Sequence, residues 1–216
     1  MSDTPAFTLD DVSKRYGPRW ALARLSFSLP RGASLLLTGH NGSGKSTLLR
    51  MLSTASFPSV GKLTILGQDC RAGREALRPH VGLLSHASFH YEDLSAEQNL
   101  TLVAQLLGKP LSEVPVLLEK VGLKARSDSP VRQFSAGMRK RLAIARILLK
   151  APALALFDEP FGELDPVGIT QMEALIRELK QTGSTVVLAT HLIEQGIGLT
   201  DRRLHLEEGR AIEATP

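Results

Sequence analysis

Apolar residues follow two rhythms along this chain. At 33–38 (ASLLLT), 63–66 (LTIL), 81–84 (VGLL), 153–157 (ALALF) and 185–190 (TVVLAT) they form short runs bounded by Gly, Pro or polar residues. Runs of that length, rich in Leu and Val, predict buried strands. Residues 7–9 predict a further short strand, with breaks at Gly17-Pro18 and Pro30-Arg31-Gly32. Elsewhere the spacing is helical. Residues 46–52 place Leu48, Met51 and Leu52 on one face, and the segment between the last two strands does the same with Met172, Leu175, Ile176 and Leu179. Residues 88–150 read as helices punctuated by Gly108-Lys109-Pro110, Gly122 and Ser129-Pro130. Residues 203–207 and 211–212, around Glu208-Gly209, predict a closing hairpin. Strands alternating with helices imply an α/β core with a mostly parallel sheet, into which the helical block is inserted.

Composition narrows the setting. A chain of 216 residues that is 43% apolar and 22% charged can bury one core, with room for a subdomain. The lone Cys70 has no internal disulfide partner, in keeping with a reducing compartment. The acidic start, MSDTPAFTLDD, has no secretory character, and no run approaches the roughly 18–20 apolar residues that span a bilayer. Any membrane role is therefore expected to be peripheral, through a partner. The net charge of +4 suits a phosphate ligand, but Arg71, Arg74 and Arg78 are scattered and are expected to be solvated surface; no nucleic-acid partner is expected.

Two segments carry chemistry. Residues 39–47, GHNGSGKST, fit G-x-x-x-x-G-K-[ST] between an apolar strand and a helix, the context that a phosphate-binding loop requires. Gly39, Gly42 and Gly44 let the backbone curl so that its N–H groups and the helix N-terminus cradle the phosphates of a nucleoside triphosphate. His40, Asn41, Ser43 and Thr47 complete the loop. Lys45 supplies charge to the β/γ oxygens, and Ser46 offers a hydroxyl to Mg²⁺. The second segment is the strand that ends in Asp158-Glu159. Ligands of parallel sheets bind at the C-terminal strand ends, so both carboxylates should face the phosphates. Asp158 is the candidate water-mediated Mg²⁺ ligand and Glu159 the candidate base for an attacking water.

The sequence FSAGMRKR at 134–141 resembles the LSGGQ signature of ATP-binding-cassette (ABC) ATPases, in its place before the Asp-Glu strand. Further marks of that family fall in order. Tyr16, in DVSKRYG, resembles the aromatic that stacks on adenine; Gly162-Glu163-Leu164-Asp165 resembles the D-loop; His191 resembles the switch histidine at the γ-phosphate. The resemblance implies a P-loop NTPase fold with a RecA-like core, an N-terminal antiparallel β subdomain and an inserted α-helical subdomain. Residues 1–86 and 151–216 would form the core with its β subdomain, and about 87–150 the helical part. It also implies a homodimer with two ATP molecules between head-to-tail cassettes, in which Ser135 and Gly137 of each chain complete the other's site. Two departures stand out. His86 occupies the position of the family's Mg²⁺-touching Gln, and Ala136 and Met138 replace signature Gly and Gln.

The chain has one signature and no coiled-coil insertion, unlike DNA-repair, chromosome-organising and tandem translation-linked relatives. Its compact length and short C-terminus, His86, LSAEQNL and LFDEPFGELDPVG resemble the haem-exporter ATPases of cytochrome c maturation. That implies CcmB/CcmC-like integral-membrane permease partners and a peripheral place on the cytoplasmic face of the inner membrane. Another small exporter, or a soluble cassette of an assembly such as iron–sulfur cluster biogenesis, is the alternative. On the helix after the signature, Met138, Leu142, Ala145 and Leu149 are expected to be buried, with Arg139, Lys140, Arg141 and Arg146 solvated. Leu100, Val103, Leu106 and Leu107 form an apolar face near residues 86–107, where a permease would dock; packing within the helical block is the simpler expectation for each.

Overall fold

The computed structural model describes residues 4–85 and 89–215, so His86 lies outside the described residues. Two sheets organise the chain. The first contains β1 (Phe7–Tyr16) and β2 (Arg19–Leu29). The second opens with β3 (Ser34–Thr38), followed by α1 (Lys45–Leu52). The chain then returns to the first sheet through β4 (Val60–Ile65) and β5 (Gln68–Asp69), whose order is β2-β1-β4-β5, antiparallel throughout. A short α2 (Arg74–Leu77) leads into β6 (Val81–Leu84). Three helices follow: α3 (Ala96–Leu107), α4 (Glu113–Lys120) and α5 (Ala136–Lys150). The core sheet is then completed by β7 (Leu154–Asp158), α6 (Pro166–Gln181), β8 (Thr185–Ala189), α7 (Ile193–Ile197) and the hairpin β9 (Arg202–Glu207) and β10 (Arg210–Thr215). Its order is β10-β9-β3-β8-β7-β6, parallel except at the terminal hairpin.

The buried runs of the core sheet match the expected strands to within a residue or two. The first sheet differs. Instead of a short strand at 7–9, β1 has ten residues and β2 eleven. Register shifts after Leu9, Val12 and Lys14, with Asp11 and Arg24 at φ 47° and 53°, break the two-residue alternation that would reveal a strand. Gly17 makes the tight turn at φ 54°.

Local chemistry sets the helix ends. Ser95 and Gln98 form a reciprocal capping box on α3, and Gly108 ends that helix at φ 64°. Asn99 is buried; its amide donates to the carbonyls of Tyr91, Leu94 and Ser95 while its Oδ1 accepts from the Tyr91 N–H. The polar loop that enters α3 is thereby closed on itself. Leu142, Ala145 and Leu149 of α5 are buried as expected, and truncating such a leucine to alanine costs about 2–5 kcal/mol.

The basic face of α5 is not the solvated surface expected. Arg139, Lys140, Arg141 and Arg146 are all half-buried. Lys140 donates to two backbone carbonyls and Arg146 to the carbonyl of Phe89, because α5 packs between the core and the loop before α3. Arg71 and Arg74 are exposed, as expected. Both guanidinium groups lie over Phe57, at 5.0 and 5.7 Å from the ring centroid. On the face at 100–107, Leu100 is buried but Leu106 stays 78% exposed, so packing accounts for only part of that face.

Candidate functional site

The strand–loop–helix unit β3–α1 makes the centre of the site. Gly39, Gly42 and Gly44 have φ of 140°, 84° and 108°, so the loop uses a conformation that residues with a Cβ adopt at a cost. At Gly39 a Cβ would also lie 2.1 Å from the carbonyl oxygen of Leu206, and at Gly44 2.5 Å from Leu22 Cδ2. The glycines let the loop lie flat on β2 and β9. No side chain caps α1, whose N-cap is Gly44. The first-turn N–H groups of a helix have no intrahelical acceptor, so here they supply a partial positive charge at the loop.

Parallel pairing of β7 with β8 brings the second half. A cavity of about 270 Å³ is lined by Ala21, Asn41, Gly42, Gly44, Lys45, Ser46, Thr47, Asp158 and Glu159. The two sequence segments, more than a hundred residues apart, thus share one wall. Gly39, His40 and Ser43 belong to the loop but do not line the cavity. The Ser43 hydroxyl is buried without a hydrogen-bond partner among the described residues, and His40 Nδ1 meets the carbonyl of Asn41 at 2.7 Å. Lys45 Nζ folds onto the loop, donating to the carbonyls of Gly39 (2.7 Å) and His40 (3.1 Å). Those carbonyls hold the ammonium at the cavity, ready to exchange them for phosphate oxygens.

Glu159 sits where β7 ends. Its N–H donates to the carbonyl of Ala189 at 2.8 Å, extending the ladder by one rung, and its backbone then turns to φ 50°. A left-handed conformation at a residue with a Cβ costs about 1–2 kcal/mol. The carboxylate oxygen Oε2 accepts from His191 twice, from the ring Nδ1 at 2.8 Å and from the backbone N–H at 3.2 Å. An ionised carboxylate only accepts, so Nδ1 of His191 carries the proton of this bond, and Nε2 is the ring nitrogen left to meet another group. The ring is largely exposed while Glu159 is mostly sheltered, so the histidine forms the outer edge of the arrangement.

The other residues named by resemblance are placed elsewhere. Tyr16 is exposed at the end of β1, with Lys14 Nζ 5.0 Å from its ring centroid, and does not line the cavity. Ser135 caps α5 by accepting from the Met138 N–H at 3.2 Å; it and Ala136 are exposed, and Gly137 faces the carbonyl of Glu163 in the same chain. Asp165 caps α6, accepting from the Gly168 N–H at 2.8 Å. Ser135, Gly137 and Asp165 therefore lie outside the cavity wall of their own chain.

Ala21 in the cavity wall and Lys140 behind Glu159 escaped sequence reasoning. Ala21 comes from β2, whose bulged pairing hid it. Lys140 bonds to carbonyls 19 and 22 residues further on, which no local pattern encodes.

The ABC transporter family model matches residues 22–162, which hold the phosphate loop, the Asp158-Glu159 strand end and the 134–141 segment. The chain belongs to the ABC transporter family. It is an ATP-binding, ATP-hydrolysing cassette of that family. It is 38% identical to the daunorubicin resistance ATP-binding protein DrrA3 of Streptomyces coeruleorubidus, over 98% of this chain and 68% of that one. It is 34% identical to the Nod factor export ATP-binding protein I of Ralstonia nicotianae, over 98% and 67%. A solved ATP binding subunit of an ABC transporter superposes with a TM-score of 0.90 at 30% identity, covering 98% of this chain and 90% of that one.

Proposed function

We propose that this cassette powers an exporter as a homodimer, peripheral to the cytoplasmic face of the inner membrane, with haem for cytochrome c maturation as the cargo. The observation that carries the catalytic part is the Glu159 carboxylate, fixed by His191 at the rim of the phosphate-loop cavity. In this reading the loop amides and Lys45 hold the β- and γ-phosphates of ATP, and Tyr16 stacks on its adenine. Water attacks the γ-phosphorus, Glu159 takes its proton, and the bond to the bridging oxygen breaks to release ADP and phosphate. His191 holds the carboxylate in place and contacts the γ-phosphate. Ser135 and Gly137 of the second copy cover the same nucleotide, with Asp165 at the shared interface.

Mg²⁺ fits the donor set. Ser46 and Asp158 both line the cavity and offer oxygen, the donor Mg²⁺ prefers, in a number that leaves room for water and phosphate. When bound, the ion would neutralise charge on the phosphoryl oxygens.

A membrane partner is favoured by the groove between β6, α3 and α5. It encloses about 470 Å³, with Leu83, Phe89, Val103 and Leu106 on its apolar side and Arg78, Arg146 and Lys150 around it. Phe89 and Leu106 are each 78% exposed, an apolar surface that a soluble cassette would have reason to bury. A permease loop combining apolar and acidic residues would match it. No helix among the described residues is long and apolar enough to cross a membrane. Haem as the cargo rests on LFDEPFGELDPVG, with Phe161 packed into the core after the Asp-Glu-Pro turn. The names of the relatives favour a second reading, a different small exporter cargo.

Purification from native membranes tests the assignment. Co-purification of a CcmB/CcmC-like permease, and loss of holocytochrome c on deletion of the gene, would support it. A permease without a cytochrome c defect would redirect the cargo, and a wholly cytosolic complex would refute the membrane role.

A further inference from the structure

Lys140 reaches from α5 into the turn that leaves β7. Its Nζ donates to the carbonyl of Glu159 at 3.0 Å and to that of Gly162 at 2.6 Å, clamping both ends of the turn. That turn begins with the left-handed backbone of Glu159 and ends beside Glu163, itself at φ 65°. Two non-glycine residues in this conformation make a turn that needs outside support. Charge-assisted bonds from one ammonium supply it. Burial pulls the Lys140 ammonium below the ordinary lysine range, and the nearby Glu163 and Glu159 carboxylates offset part of this.

The support comes from the helix that Ser135 caps. Lys140 lies five residues after that cap, and a Cβ at Gly137 would stand 3.4 Å from the carbonyl oxygen of Glu163, so that turn of α5 lies alongside the segment. The segment that carries Glu159 is therefore joined to the 135–137 turn by a rigid first stretch of α5. We propose that Lys140 is a positioning residue that sets the Glu159 carboxylate according to the seating of α5. On the two-site reading above, on which this inference rests, contact of Ser135 and Gly137 with one ATP would adjust the base acting on the other.

Lys140→Met removes the donors and keeps the length, whereas Lys140→Arg keeps charge and donors; Lys140→Gln is an intermediate case should Met impair folding. The first readout uses the nucleotide-free protein: amide hydrogen exchange over residues 159–164 should accelerate in Lys140→Met, with α3 and α6 unchanged, and recover in Lys140→Arg. The second is steady-state hydrolysis. kcat should fall on the order of 10- to 100-fold with KM within about twofold, again recovering with Arg. Unchanged exchange at 159–164 overturns the proposal. So does faster exchange throughout the chain, or a loss that Arg does not restore, since either would mark Lys140 as merely structural. A Glu159→Gln control that hydrolyses ATP at the wild-type rate would instead sink the base assignment, while the exchange data still judge the Lys140 clamp.

Discussion

The phosphate loop at 39–47 and the turn at 135–137 both introduce helices, and the chain treats the two N-termini oppositely. Gly44 leaves α1 without a side-chain cap, beside a cavity closed by Asp158 and Glu159. Ser135 caps α5 with its own hydroxyl and faces solvent, with no part in that cavity. One helix start is built to receive an anion from within the chain's own fold. The other is self-satisfied and presented outward, as a surface for another molecule would be. The difference lies in what tertiary structure sets opposite each.

The sharpest way to break the comparison is at Lys45. Lys45→Ala should abolish measurable ATP binding by the isolated chain, checked by calorimetry, whereas Gly137→Asp should leave it within about twofold. Hydrolysis should be lost in both. Mixing the two variants should restore a fraction of wild-type activity, because one composite site of the mixed dimer is intact; no recovery would mean that the turn at 135–137 does not serve a neighbour. Glu159→Gln should lower kcat by about 10²–10⁴-fold while ATP binding persists and stabilises a dimer visible by size exclusion. His191→Ala should cost less, about 10- to 100-fold in kcat, since the backbone N–H of residue 191 still holds Oε2.

How far these sites were legible follows from where their partners lie. The loop could be read from sequence because Gly39, Gly42, Gly44, Lys45 and Ser46 are neighbours whose backbone needs are local. The Asp158-Glu159 pair was legible as a strand end, since five apolar residues precede the acids. Its histidine contact was not, because Glu159 and His191 meet only through the parallel pairing of β7 and β8. Tyr16 was legible through a motif and stands outside the phosphate-loop cavity, whereas Ala21, in that wall, comes from strand β2, which no apolar run reveals. The half-buried cations of α5 were misjudged for a related reason. A lysine that donates to backbone carbonyls leaves no complementary residue type in the sequence to betray it.

A further expected effect, on stability rather than on rate, lies in the loop before α3, where it packs on α5. His90 Nε2 donates to the carbonyl of Arg139 at 2.9 Å. Burial, with the charges of Arg146 and Arg139 adding to it, holds the ring's pKa at about 4, against 6.5 when exposed. The unfolded chain therefore binds more protons between those values. Stability is full above about pH 6.5 and falls as pH drops toward 4, by roughly 2 kcal/mol after allowing for solvent screening. Denaturant midpoints across that range, compared with His90→Gln, check it; an identical pH dependence in the variant would assign the loss to other groups.

By itself, the sequence determined the phosphate loop, the buried strands of the core sheet and the acidic strand end, because each is a short-range matter of φ angles, apolar runs and helix spacing. Tertiary structure decided which of those groups meet. Strand order set Asp158 and Glu159 against Lys45 and placed His191 on the carboxylate. The packing of α5 gave Lys140 its two carbonyls and turned Ser135 outward. Such contacts join residues from about twenty to more than a hundred positions apart, and their partners are often backbone atoms that every residue carries, so only the folded chain could select among them.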